Sequence, residues 1–293
     1  MGAQRIAEQS DTERELRSHL HGMWSAVAPA WGEHAAYAEQ RGAAVSARML
    51  ELTAPRPGER VLELACGPGG VGLAAAQLIE PGGEVVLSDV AAEMTAFAAA
   101  RVAELGLRNV LTCELDIEEI AQPDGSYDVA LCREGLMFAA DPARAAGEIR
   151  RVLRPGGRVA IAVWGPRERN PWLGLVLDAV GVQLGRPMPP PGIPGPFALD
   201  DAGELGGLLR AAGFADVVVE EEAVPLSVRS FEAWWERTSA LAGPLAKVLA
   251  SLPEPAAAAI QERLRESVVP YETPAGLDFP GVTLLAHGRA GDA

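Results

Sequence analysis

The chain has 293 residues, of which 48% are hydrophobic and 22% charged, and this composition is typical of one globular domain or of a core domain with a lid. No apolar run is long enough to cross a membrane, and residues 1–17 lack the apolar core of a signal peptide, so we expect a cytoplasmic protein. The formal net charge of −15 argues against a nucleic-acid partner, because such binding needs Lys and Arg to neutralise phosphates.

The first predicted element is a long helical segment. Residues 3–55 are rich in Ala, Leu and Met, and Trp24 and Trp31 flank a predicted break at Pro29. Pro55 and Pro57 end the helical pattern, because proline removes a backbone donor and disfavours the helix before it. We interpret residues 1–58 as an N-terminal helical lid.

From residue 60 onward, short apolar strands alternate with helices. A helix predicted after Asp141 has this residue as N-cap and Pro142 at its first position. Such alternation predicts a doubly wound α/β fold with a seven-stranded, mostly parallel sheet. The predicted strands are 61–65, 84–89, 109–115, 127–132, 159–164, 217–224 and 282–287.

The pattern becomes irregular after Trp164. Residues 165–196 contain a proline-rich stretch and are predicted as an extended loop, whereas 201–212 and 231–266 are predicted as helical. We therefore divide the chain into the lid, a cofactor-binding core at 59–165, and the remainder of the sheet at 166–293. Within that last part, 165–200 and 229–275 are predicted lid insertions.

A glycine-rich loop follows the first predicted strand. Gly67-x-Gly69-x-x-Gly72 satisfies the dinucleotide-binding pattern, and Asp89 lies about twenty residues further on, where that pattern requires an acid. Both NAD and S-adenosylmethionine carry adenosine, so a carboxylate at this position can bind ribose hydroxyls in either case. The pattern alone leaves both cofactors open.

Two features favour S-adenosylmethionine. Glu63 lies within the first strand, ahead of Gly67, where a carboxylate is poorly placed for a pyrophosphate. It is well placed, through water, to receive a methionyl ammonium group. The long helical segment before the first strand is a second difference, because nucleotide-binding domains often begin at that strand.

Several short sequence motifs follow one another along the chain in an order that is typical of a known family. Residues 61–70 read Val-Leu-Glu-Leu-Ala-Cys-Gly-Pro-Gly-Gly, an acid and an apolar residue follow at 116 and 117, and 153–158 read Leu-Arg-Pro-Gly-Gly-Arg before the fifth strand. Between Trp24 and Val163 this order resembles the class I S-adenosylmethionine-dependent methyltransferases. It looks most like the ubiquinone/menaquinone-biosynthesis type and its small-molecule relatives in secondary metabolism. Residues 24–31 of this chain resemble the N-terminal lid segment of that group.

The resemblance implies a Rossmann-like methyltransferase fold, S-adenosylmethionine as cofactor and S-adenosylhomocysteine as product. It assigns ribose binding to Asp89, an apolar contact beside the adenine to Met94, and the adenine edge to Asp116 and Ile117. The cofactor-binding residues predicted in this way are Glu63, Ala65, Cys66, Gly67, Gly69, Asp89, Val90, Met94, Asp116, Ile117 and Cys132. Structural alternatives remain open: Glu63 as an N-terminal helix partner or a solvated strand end, Asp89 as a helix cap, and Asp116 as a turn residue.

Catalytic residues are less clearly marked. Methyl transfer needs a base only where the acceptor must lose a proton. The candidates are His34 first, with His21, Tyr37 and Tyr271 as alternatives. Isolated cysteines and histidines predict no metal site. Predicted substrate or lid residues are Trp24, Trp31, Tyr37 and Trp235, which alternatively pack the helices on the sheet.

These observations together predict methyl transfer to a small, hydrophobic metabolite by a protein that acts alone or as a homodimer. Two alternatives remain open at this point. One is a relative of the fold that binds the cofactor but catalyses another reaction, such as a cyclisation. The other is an NAD-dependent oxidoreductase.

Overall fold

The computed structural model describes residues 2–191 and 193–291, and the side chains of residues 15–191, 193–243 and 245–291. Its helices, in chain order, are α1 (Gly2–Glu33), α2 (Ala35–Thr53), α3 (Val71–Leu78), α4 (Ala92–Glu104), α5 (Pro142–Val152), α6 (Pro171–Leu184), α7 (Ala202–Ala211), α8 (Phe231–Leu241), α9 (Pro244–Ser251) and α10 (Glu254–Ser267). None of the described helices is long and apolar enough to cross a membrane.

The strands form one large and one small sheet. They are β1 (Arg60–Leu64), β2 (Glu84–Asp89), β3 (Val110–Glu114), β4 (Tyr127–Arg133), β5 (Leu153–Trp164), β6 (Phe214–Ala223), β7 (Leu226–Val228), β8 (Glu272–Thr273), β9 (Gly276–Phe279) and β10 (Val282–Ala290). The large sheet has seven strands in the order β3-β2-β1-β4-β5-β10-β6, and the small one has the order β7-β9-β8. The predicted seven-stranded, mostly parallel sheet is confirmed.

The large sheet is parallel from β3 to β5, whereas β10 runs antiparallel to both of its neighbours. Strand order reverses between β1 and β4, because the chain leaves β1 toward one edge and later returns to its other side. In doubly wound sheets, ligands bind at this reversal, beyond the carboxyl ends of the strands. The topology therefore locates the site at the ends of β1, β2 and β4.

The core lies between the sheet and the helices on both of its faces. Residues 61–64 of β1 are buried, as are most residues of β4 and the second half of β5. Helix α5 begins as predicted, because the Asp141 carboxylate accepts the backbone N–H groups of Ala143 and Arg144, each at 3.0 Å.

The break predicted at Pro29 is wrong. Helix α1 continues through Pro29, and the helical rise is interrupted only at His34, which precedes α2. A proline inside a helix costs about 3 kcal/mol. Burial offsets that cost, because Ala28 is fully buried against Met94 in a cluster that also includes Trp24 and Trp31.

Three further boundaries differ from the predictions. The region predicted as an extended loop contains α6, whose start is held by Asn170, a buried amide that bonds to the backbone of Gly165 and Val282. Strand β5 begins at Leu153 rather than at Val159. The segment predicted as one helix from 231 to 266 is divided into α8, α9 and α10 at Gly243 and Pro253.

Candidate active site

A cavity of about 980 Å³, the first cavity, opens at the carboxyl ends of β1, β2 and β4. The ends of these strands contribute residues 65–69, 89–90 and 133–135, and the segment after β3 contributes residues 115–118. Helix α1 closes the opposite side with Arg17, His21, Trp24 and Trp31. The N-terminal helix therefore covers the point at which the strand order reverses.

Asp89 lies at the end of β2 and borders this cavity with 7% of its surface exposed. One carboxylate oxygen accepts the N–H of Gly67 at 2.9 Å, and the other accepts the N–H of Ala91 at 3.0 Å. Burial raises the pKa of Asp89, although the two backbone donors oppose that change. The carboxylate thus fixes the glycine loop and keeps lone pairs for a ligand.

Asp116 lies on the neighbouring wall and is held from α1. Its Oδ2 accepts bonds from the Arg17 guanidinium and lies 3.4 Å from Nε2 of His21, whereas Oδ1 accepts the N–H of Glu118 at 2.8 Å. Burial alone would raise the pKa of Asp116, but hydrogen bonds from His21 and Arg17 hold it well below its usual range. An ion pair therefore links the N-terminal helix to the rim of the cavity.

The glycine loop needs its glycines for two reasons. Gly67 and Gly69 have φ angles of 55° and 99°, which residues with a Cβ rarely adopt. At Gly72, a Cβ would lie 2.4 Å from Leu87 and 2.8 Å from Glu63, so only glycine lets α3 approach the sheet. Around the position of a Cβ on Gly67 no other atom lies within 4 Å, so a ligand can reach the backbone there.

Glu63 is placed differently from the prediction. Its carboxylate is buried and accepts the N–H groups of Val71 and Gly72, at 2.9 and 2.7 Å, so that it caps the start of α3. It does not line the first cavity, because the glycine loop lies between them. Burial raises the pKa of Glu63 to about 7, against the opposing effect of these N–H groups and of Arg133. The alternative as a solvated strand end is wrong, because Glu63 is 1% exposed, and the helix that it contacts is α3.

A second cavity of about 870 Å³ adjoins the first. Six residues line both cavities and so stand at their boundary: Trp24, Trp31, Ala38, Arg133, Glu134 and Phe138. The rest of its wall includes Tyr37 and Arg41 of α2, Trp164 and Trp172, and residues 237–243 of α8 and the turn after it. Helices α1, α2 and α8 therefore enclose an aromatic space beside the first cavity.

A third cavity of about 930 Å³ continues from the second. It lies between α1, α6 and the proline-rich segment, and its lining is largely apolar, as Leu20, Leu177 and Leu245 illustrate. Phe138 borders all three cavities, and its ring meets Trp24 edge-on at 4.9 Å between centroids.

The structure brings together most, but not all, of the predicted site residues. Those that line the first cavity are Trp24, Trp31, Ala65, Cys66, Gly67, Gly69, Asp89, Val90, Met94, Asp116 and Ile117. Tyr37 lines the second cavity. His34, at the junction of α1 and α2, lines none of the three, and neither do Cys132, which is buried within β4, and Trp235, which packs among α6, α8 and β9.

Comparison with known sequences agrees with this geometry. A family model described as a methyltransferase domain matches residues 55–170. The nocamycin O-methyltransferase of Saccharothrix syringae is 33% identical over 198 residues, which cover 64% of this chain and 71% of that protein. The chain is a class I S-adenosylmethionine-dependent methyltransferase. This result excludes the NAD-dependent oxidoreductase.

A second relative supports the same family. The ubiquinone/menaquinone biosynthesis C-methyltransferase of Ectopseudomonas mendocina is 35% identical over 130 residues, or 44% of this chain and half of that protein. Among solved structures, YcgJ of Bacillus subtilis has a TM-score of 0.60 at 19% identity and covers 85% of this chain and 98% of its own. The [4+2]-cyclase SpnF has a TM-score of 0.55 at 24% identity, covering 85% and 81%. These two structures share the fold.

The residues of the first cavity fit S-adenosylmethionine, the cofactor of this methyltransferase family. The open backbone at Gly67 admits a ligand, and two carboxylates, Asp89 and Asp116, offer acceptors to hydroxyl and amino groups. Met94 is 2% exposed and Ile117 lies on the same wall, so an adenine ring would meet apolar surface. Among the residues that the structure describes, no group of three or more His, Cys, Asp or Glu side chains is arranged to hold a metal ion.

Several residues at the site were missed at the level of sequence. Arg133 and Glu134 line both of the first two cavities and directly follow Cys132, at the end of a central strand. That position alone is a signal, because ligands bind beyond the carboxyl ends of parallel strands. Arg17 and Arg41 lie on helices without a recognisable motif, and only the fold brings them to the site.

Proposed function

We propose that this methyltransferase methylates a small, hydrophobic acceptor that binds in the second cavity. The observation that carries the proposal is the boundary that the two cavities share, which includes Trp24, Trp31, Glu134 and Phe138. A cofactor in the first cavity and an acceptor in the second would meet at this boundary. Aromatic walls and the apolar third cavity support a hydrophobic acceptor rather than a macromolecule.

For the cofactor, we assign the ribose hydroxyls to Asp89 and the adenine amino group to Asp116, with Met94 and Ile117 on the ring. Arg133 is suited to the methionyl carboxylate, because its Nη2 lies 3.4 Å from the position of a Cβ on Gly70 and its side chain lines the first cavity. Glu63 supports the glycine loop from behind and acts as a positioning residue.

The protein's contribution to the reaction is chiefly positional. S-adenosylmethionine supplies a methyl group that its sulfonium already activates. Fixing an acceptor atom at attack distance lowers the barrier by roughly 7–11 kcal/mol at most. Trp24 and Trp31 on α1, and residues 237–243 opposite them, act as a lid that excludes water from the boundary.

The proposal is tested by following the label from methyl-labelled S-adenosylmethionine. The purified protein is incubated with a panel of hydrophobic phenols, hydroquinones and hydroxy ketones, and in parallel with total tRNA and with denatured protein. We expect label in the organic extract of some of the small molecules, with release of S-adenosylhomocysteine. Label confined to tRNA or protein would contradict the small-molecule acceptor, and conversion of an acceptor without released S-adenosylhomocysteine would support a reaction such as cyclisation.

A pair of variants tests whether methyl transfer depends on the second cavity. Thr238 lies on α8, 7% exposed, in the wall of that cavity. Thr238→Trp fills the cavity and should reduce methyl transfer at least tenfold while S-adenosylhomocysteine binding persists. Thr112→Trp, on the half-buried face of β3 away from the three cavities, is the control for bulk.

A further inference from the structure

Two opposite charges border the second cavity from different elements. Glu134 directly follows β4, and Arg41 lies in the middle of α2. Each charge affects the other, yet among the described residues no ion pair joins them. The wall of the second cavity therefore presents both a carboxylate and a guanidinium.

Glu134 is held in an unusual conformation. Its φ angle is 60°, in the left-handed region that residues with a Cβ rarely adopt, and its N–H donates to the carbonyl of Ala162 at 2.7 Å. Among the described residues we find no hydrogen-bond donor to its carboxylate. Such backbone outliers concentrate at functional sites, where the surroundings fix them. Burial raises the pKa of Glu134, against the opposing charges of Arg133 and Arg41, and this favours a carboxylate that can take up a proton.

Arg41 offers a hydrogen-bond donor to the second cavity. Its Nη1 donates to the carbonyl of Val224 at 2.7 Å, and the guanidinium lies over the rings of Trp172 and Trp164, at 5.3 and 5.6 Å from their centroids. The Nε–H group of Arg41 has no hydrogen-bond partner among the described residues, and the side chain lines the cavity. A charged donor in a cavity wall without a protein acceptor suits an oxygen atom that a ligand supplies.

We propose that Glu134 and Arg41 bind a flat phenolic or enolic ketone, with the hydroxyl group of the acceptor at Glu134 and its carbonyl oxygen at Arg41. This inference rests on the proposed function and specifies its acceptor and its outcome, O-methylation. The indole rings of Trp164 and Trp172 meet edge-on, at 5.0 Å between centroids, and add aromatic surface beside Arg41 against which the conjugated system can pack.

The chemistry balances without another reactant. As the acceptor oxygen forms its bond to the methyl carbon, the hydroxyl proton passes to Glu134. The carbon–sulfur bond breaks, and its electron pair stays on sulfur, which loses its positive charge. Glu134 then releases the proton to water. Products are the methyl ether, S-adenosylhomocysteine and one proton.

The test compares the binding of three probes to the complex with S-adenosylhomocysteine, by calorimetry: 3′-hydroxyacetophenone, acetophenone, which lacks the hydroxyl, and 3-ethylphenol, which lacks the carbonyl. We expect the hydroxy ketone to bind on the order of tenfold more tightly than either of the others, because each loses one charge-assisted hydrogen bond. Glu134→Gln should remove the preference over acetophenone, and Arg41→Lys the preference over 3-ethylphenol. Glu266→Gln and Arg263→Lys, both at exposed positions, are the controls.

The outcomes separate this inference from the proposed function. Equal affinity of the parent protein for all three probes, while S-adenosylhomocysteine binds, overturns the inference and leaves the cofactor assignment intact. Failure of the parent to bind S-adenosylhomocysteine overturns the proposed function itself. Melting temperatures identify a variant that does not fold. In that case, the relative affinities of the parent protein for the three probes still test the inference.

Discussion

At the scale of single residues, Asp89 is the clearest test of the cofactor site. Asp89→Ala removes the acceptor that we assign to the ribose hydroxyls and also the one that fixes Gly67. Each lost charge-assisted hydrogen bond costs about 1.5–3 kcal/mol, so the Kd for S-adenosylhomocysteine should rise at least tenfold. Calorimetry measures this change, with Asp278→Ala, at an exposed position of β9, as control. Unchanged affinity would contradict the assignment.

Glu63 predicts a pH dependence of stability. Its pKa rises from about 4.5 to about 7 on folding, so between these values the folded protein keeps a proton that the unfolded chain has lost. The free energy of unfolding therefore falls as the pH rises through this window, by about 3 kcal/mol. Glu63→Gln cannot titrate, and its profile should lack this fall.

Urea unfolding at pH values between 4.5 and 7.5 measures both proteins. Glu266→Gln, an exposed change of the same chemistry, should retain the parent profile. Identical slopes for the parent and Glu63→Gln would show that Glu63 does not carry the effect.

Site residues could be predicted from the sequence where they lie close together along the chain, and not where only the fold brings them together. Gly67, Gly69 and Asp89 belong to a pattern that short-range geometry imposes, so their spacing revealed them. Glu63 was recognised as special, but sequence does not tell toward which side of a strand a carboxylate turns. Arg41 and Glu134 come from elements more than ninety positions apart, and no motif connects them.

At the scale of elements, the link between α1 and the core is open to test. Arg17 is 16% exposed and bonds to Asp116 on the rim of the first cavity. Arg17→Ala removes a partly buried ion pair worth about 1 kcal/mol, so S-adenosylhomocysteine should dissociate roughly fivefold faster. Stopped-flow displacement measures the rate, with Arg108→Ala, on the exposed turn after α4, as control. An unchanged rate would show that α1 does not restrain the ligand.

Elements were predictable where local signals and packing agree. Asp141 and Pro142 start α5 as expected, because capping is a local property. The break predicted at Pro29 was wrong, because the burial of neighbouring Ala28 outweighs the cost of a proline within a helix. This packing depends on α4, about sixty positions away along the chain. The helix α6 was hidden, since its apolar sequence has no single polar face and the partner of Asn170 at Val282 is remote.

For the whole molecule, removal of residues 1–20 separates folding from binding. The large sheet begins with β1, and its core begins with Val45 and Met49 of α2, which the deletion leaves in place. The shortened protein should therefore keep its circular dichroism and a cooperative melting transition. It loses Arg17 and the buried Leu20, both of which line the first cavity, and should bind S-adenosylhomocysteine more weakly by several-fold. A deletion that abolishes cooperative melting would show that α1 belongs to the folding core instead.

The architecture of the core could be predicted from the sequence, and that of the second and third cavities could not. Alternating strands and helices allow few topologies, so the parallel order of β1 to β5 follows from their sequence. The second and third cavities arise from contacts of α1, α2, α6 and α8, which no periodicity specifies. Residues 165–200 and 229–275 were predicted as insertions over the site, and the walls of these cavities include residues from both.

Phe138 lines all three cavities, and its ring meets that of Trp24 edge-on. This ring therefore stands where the proposed cofactor and acceptor sites meet the apolar third cavity. Its size therefore limits how far an elongated molecule can slide along the passage. An acceptor with several equivalent hydroxyl groups would present only one of them to the methyl group. Phe138→Ala should leave the fold and the carboxylates of Asp89 and Asp116 in place, and the methylated product should become a mixture of regioisomers. On the proposed function, we therefore expect the regiochemistry of methylation to depend on the bulk of this one side chain.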